Sequence, residues 1–191
     1  MPLPSTRHLN NGRLGFICMP PGYSTTASVA TASGNCYIIK YVAPCTERII
    51  AGTSRGRINV STLAAGSTVT ISVYSWDYSG SPATGGSAVG YEGGTLLGST
   101  KTMSAATAGQ KSEIFTKSFI MAQGQTYWIS AFVTGGSPSF TGITLGNLSS
   151  SLLGAYEVEM ANLGGQFVVP PSVSAAAYTS AVPLMAISIH G

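Results

Sequence analysis

The stretch TVTISVY, residues 68–74, places Val69, Ile71 and Val73 on one side and Thr70 and Ser72 on the other. Side chains along a strand point alternately to opposite faces, so this period of two predicts a half-buried β-strand. Working outward, further strands are expected at residues 36–42, 47–51, 95–103, 113–120, 126–133, 140–145, 155–160 and 184–189. Gln123-Gly124-Gln125 and Gly135-Gly136-Ser137-Pro138 read as turns between them. The segment TYWISAFV, residues 126–133, is apolar on both faces, with Tyr127, Ile129, Ala131 and Val133 opposite Trp128 and Phe132. Such a strand belongs in the middle of the molecule, between layers or under a neighbouring subunit.

Short strands with turns every 8–12 residues or so indicate an all-β fold, here an antiparallel, jelly-roll-like β-sandwich. It is expected to occupy residues 35–191. Residues 1–34 contain Pro2, Pro4, Pro20 and Pro21 and a run of small residues, and read as an extended N-terminal arm. Residues 77–94, DYSGSPATGGSAVGYEGG, read as a long Gly-rich loop.

Composition narrows the function classes. Of 191 residues only 8% are charged, against about 25% in an average soluble protein. Hydrophobic residues make up 44%, which argues against disorder, and the residues that solvate long helices are scarce. A net charge of +3 spread along the chain makes no basic face for nucleic acid. No apolar run is long enough for a membrane helix, and the start lacks the apolar core of a signal peptide. Cys18, Cys36 and Cys45, spaced by 18 and 9 residues, cannot all pair as disulfides and match no common zinc pattern. They read as thiols of a protein made in a reducing cytoplasm.

Catalytic groups are few. His8 and His190 lie at the two extremes, and Asp77 is the only aspartate. Glu157 and Glu159 would share a strand face and could pair as acid and base, but they fit an edge strand's solvated charges better. With no phosphate-binding loop and no GxSxG, the chain is expected to be neither an enzyme nor a cofactor or metal protein. One constellation could bind a ligand. If the register of residues 68–73 continues, Tyr74, Trp76 and Tyr78 lie opposite the core. Such a row is a platform for sugar rings, an anchor at a protein interface or, after a bulge, part of the core. Arg55-Gly56-Arg57, near Arg48, is the only local basic cluster and reads as solvating a turn or pairing with Glu47.

Several of these features recur in order. Glu47-Arg48-Ile49 follows a Pro, and Thr62-Leu63-Ala64-Ala65-Gly66-Ser67 leads into Val69 to Tyr74. Asp77-Tyr78-Ser79-Gly80-Ser81-Pro82, Gly94-Thr95-Leu96-Leu97-Gly98-Ser99 and Thr107-Ala108-Gly109-Gln110-Lys111 come next. Gly124-Gln125-Thr126-Tyr127-Trp128 and the closing Ala181-Val182-Pro183-Leu184 complete the series. From Cys36 to Ile143 this order resembles a β-sandwich module of tailed-bacteriophage virion proteins, found in tail, fibre and capsid-surface accessory proteins. The resemblance implies a virion structural protein, synthesised in the host cytoplasm, a tail or fibre component or a capsid decoration protein. It also implies other virion proteins as partners and a homotrimer. Under this reading residues 1–34 would be the attachment arm. A carbohydrate-binding host-attachment module, using Tyr74, Trp76 and Tyr78 on a surface glycan, is the alternative expectation.

Overall fold

The computed structural model describes residues 15–18, 23–76, 93–145, 160–163, 168–170, 172–174 and 181–189. No helix occurs among them; the chain forms antiparallel sheets. The first sheet runs β1 (Gly15–Cys18), β16 (Met185–Ser188), β5 (Arg55–Thr62), β12 (Ser139–Leu145), β15 (Ala181–Pro183). Two more strands attach to it: β2 (Tyr23–Ala30) lies along β12, and β9 (Gly109–Ile114) along β5. The second sheet runs β13 (Met160–Leu163), β3 (Asn35–Val42), β11 (Thr126–Thr134), β6 (Thr68–Ser75), β7 (Gly93–Ser99), β14 (Ser172–Ser174), with β8 (Met103–Ser104) also on β6. A small ribbon pairs β4 (Glu47–Ile49) with β10 (Phe119–Met121).

The alternation of β6 decides which way this sheet faces. Val69, Ile71 and Val73 enter the core together with Tyr37, Ile39 and Tyr41 of β3 and Ile129, Ala131 and Val133 of β11. From the first sheet come Ile58, Val60, Phe140, Val182, Met185 and Ile187, and the ribbon adds Ile49 and Met121. The all-β sandwich is therefore what the sequence led us to expect, and β11 holds the central place expected of it, between β3 and β6.

The second face of β6 departs from the half-buried expectation, because Thr70, Ser72 and Tyr74 are buried as well. Across the sheet, Lys40, Trp128 and Tyr74 form one row, Ile38, Ser130 and Ser72 the next, and Cys36, Phe132 and Thr70 a third. Cys36, Ile38, Tyr74, Trp128 and Phe132 make a second apolar cluster, with Trp76, Leu96 and Val169 against it. Small hydroxyl residues fill the space between the bulky ones, which lets a nominally polar face be covered.

Within residues 1–34, β1 pairs with β16 from Gly15↔Ser188 to Cys18↔Met185, and β2 pairs with β12 from Tyr23 to Ala30. Hydrogen bonding to the body thus begins ahead of residue 34. Two other expectations change in detail. Residues 55–57 were expected in a turn but lie in β5, a strand with neighbours on both edges. The strand expected over 113–120 is divided between β9 and β10, with Phe115 bridged to Thr100. Met160, the last residue of the strand expected at 155–160, opens β13; the rest of that segment lies outside the described residues.

Candidate functional site

Tyr74 and Trp76 are delivered by the end of β6. The pairing of β6 with β11 runs without interruption from Thr68↔Thr134 to Ser75↔Tyr127, so Tyr74 does lie opposite the core, next to Trp128. The irregularity in β6 is on its other edge, where pairing with β7 shifts between Val73 and Tyr74. Tyr74 is nevertheless fully buried, and its phenol donates a 2.9 Å hydrogen bond to the Pro170 carbonyl. It presents no ring face to a ligand. Trp76 is half-buried, with the Lys40 ammonium 5.2 Å from its ring centroid. A cation over an indole is attracted by the ring's negative face, more strongly where water is reduced. Tyr78 and Asp77 lie outside the described residues.

Lys40 is the member of this group that sequence reasoning missed. Its signal was available in CYIIKYV, where Cys36, Ile38 and Lys40 share one parity, but the matching rows on β11 and β6 were not. The electrostatics of the face oppose ionisation of its acids. Burial pushes the Cys36 thiol up to about 12, against a smaller opposing pull from the Ser130 hydroxyl. Burial also drives the Tyr74 phenol well above its ordinary 10.0; Cys36 adds to the rise, and the Ser130 and Ser72 hydroxyls temper it. At neutral pH both groups keep their protons, so neither serves as a nucleophile or base there.

A second polar group lies at β4. The Tyr41 phenol donates to Glu47 Oε1 at 2.9 Å, and Cys45 Sγ stands 3.9 Å from the same oxygen. Glu47 is 4% exposed, so this carboxylate is internal. Arg55 and Arg57 occupy alternate positions on the outer face of the first sheet. Glu157, Glu159, His8 and His190 lie outside the described residues. No protein-family model matches the chain, and no curated protein matches it.

Proposed function

We propose that the protein is a non-enzymatic structural component of a tailed-phage virion, a tail or fibre component or a capsid decoration protein, joined to its neighbours through its N-terminal segment. The observation that carries this reading is the placement of β2. Contributed from residues 1–34, it lies along one edge of β12 from Ala30↔Ser139 to Tyr23↔Leu145. A strand supplied by a chain end can equally add to a neighbouring copy, which is how subunits exchange elements without new chemistry. The scarcity of charge supports the same reading, since few ionic groups would be dehydrated when faces are buried between subunits. The order of motifs from Cys36 to Ile143 supplies the virion setting, with other virion proteins as partners and a homotrimer as the assembly.

Immunolabelling of intact particles tests this directly, comparing the full chain with one lacking residues 1–30, a deletion that removes β1 and β2. We expect the full chain on particles and the shortened chain folded but absent from them. Full incorporation of the shortened chain would remove the attachment role of the N-terminal segment. Absence of the full chain from particles would remove the virion reading itself. A second reading, a carbohydrate-binding host-attachment module, is favoured only by the half-exposed Trp76. Glycan-array binding that is lost on Trp76→Ala would support it; no binding by the full chain would end it.

A further inference from the structure

The outer face of the first sheet carries a basic patch that no acid among the described residues neutralises. Gly56, Ile58 and Val60 are the buried positions of β5, which leaves Arg55, Arg57, Asn59 and Ser61 on the side away from the core. Gly56 has no space for even a methyl group, because a Cβ there would meet the Ile71 side chain at 3.1 Å and Thr100 Cγ2 at 2.7 Å. The strand therefore cannot turn its arginines inward. Register places Ser188 and Ile114 on either side of Arg55, and Ala186 and Ser112 on either side of Arg57. Directly opposed residues of antiparallel strands have Cβ atoms about 5 Å apart, so these side chains are immediate neighbours.

Neither arginine side chain has an ion pair or hydrogen bond among the described residues. The described acids do not face them. Glu113 of β9 pairs with Gly56 and so falls on the opposite parity, and Glu47 is internal, accepting from Tyr41. Three polar atoms of the patch are also shielded from water and have no hydrogen-bond partner among the described residues: Arg57 Nε, Ser112 Oγ and Ser188 Oγ. Ser188 is only 8% exposed. These three atoms are out of a ligand's reach, so an anion on this face would meet the accessible parts of the two half-buried arginines.

The surroundings are hydroxyls and amides. Asn59 donates to Thr141 Oγ1 at 2.7 Å, Ser28 and Ser61 share a 2.8 Å hydrogen bond, and Gln110 sits opposite Asn59. We propose that this face binds an acidic polysaccharide, whose carboxylate or sulfate groups sit between Arg55 and Arg57. The planar guanidinium fork matches both anions, and the flanking hydroxyls and amides match sugar hydroxyls. Two cations are too few to hold a nucleic-acid backbone, whose binding depends on neutralising many phosphates. The site is on the opposite sheet from Trp76 and does not depend on the virion reading.

The test measures binding of the full chain to polygalacturonate, dextran sulfate, neutral dextran and a single-stranded DNA oligonucleotide. At least one acidic polysaccharide should bind, more weakly as salt rises, and neutral dextran should not. Arg55→Gln and Arg57→Gln should each weaken binding about tenfold, and the double variant should abolish it. Arg57→Lys should not restore it fully, because a lysine lacks the fork. Should either glutamine variant fail to fold, Ser112→Asp, which places an anion beside Arg57, should produce the same loss. The proposal is overturned if neither acidic polysaccharide binds, if neutral dextran binds equally well, or if the folded variants bind like the parent chain. Tighter binding of the oligonucleotide than of both polysaccharides would overturn it too.

Discussion

Cys36 and Tyr74 share the covered face of the second sheet, and their buried acids give the protein a defined alkaline limit. The thiol rises from 9.0 to about 12, and the phenol rises well above its ordinary 10.0. Each holds its proton more tightly in the folded chain than in the unfolded one. The unfolded chain therefore loses these protons first as pH rises, and stability falls with it. The contribution is complete below the unfolded values and drains away from pH 9.0 upward for Cys36 and from 10.0 upward for Tyr74. Each group can steepen the decline by at most about 1.4 kcal/mol per pH unit. Urea unfolding should thus be level from neutral pH to the mid-eights, then fall, and Cys36→Ala with Tyr74→Phe should flatten the fall. A parent curve that stays level to pH 11 would contradict the burial argument. At pH 8, alkylation followed by peptide mapping should modify the partly exposed Cys45 and spare Cys36. Gly135 shows a backbone constraint of another kind: its φ is +77°, and an added Cβ would run into the Gly66 carbonyl oxygen. Gly135→Ala should cost about 1–3 kcal/mol in the same unfolding assay.

The strands legible beforehand include β3, β6, β11 and β12, each with a clear period or a continuous apolar run, and also β4, β7 and β16. β5 was not, because Arg55-Gly56-Arg57 looks like a turn, although Gly56, Ile58 and Val60 alternate with Arg55, Arg57 and Asn59. Its central position follows from long-range pairing with β9, β16 and β12, which no local window contains. β2 presents the same lesson from the other side, since its small residues give no core signal yet align with β12. Gly142 makes that alignment feasible. A Cβ there would collide with the Val29 side chain of β2 and the Val182 carbonyl of β15, so both neighbours approach only because it is glycine. Gly142→Val should loosen β2 and β15, lowering stability by about 1–3 kcal/mol. Hydrogen exchange should register this as faster exchange in β2 and β15 than in β11; uniform behaviour across the sheets would contradict it.

For the whole molecule, the low charge content becomes a statement about what holds it together. Both sheets contribute branched and aromatic side chains to the main core, and the second sheet has a further apolar cluster on its other face. Stability resting on that burial should respond little to ionic screening. Raising salt from about 0.05 M to 0.5 M should barely move the thermal midpoint, whereas a drop of many degrees would reveal ionic dependence. Sedimentation should give three times the monomer mass if the proposed trimer forms. The sequence by itself determined the all-β class, the inward set of β6 and the central role of β11, because period and apolar content act within a few residues. Tertiary structure alone decided that Tyr74 is sealed under Pro170, that Lys40 meets Trp76, and that Arg55 and Arg57 stand beside Ser188 and Ser112. Each of those depends on which distant strands become neighbours, and pairing over such separations is fixed by the packing of the whole chain.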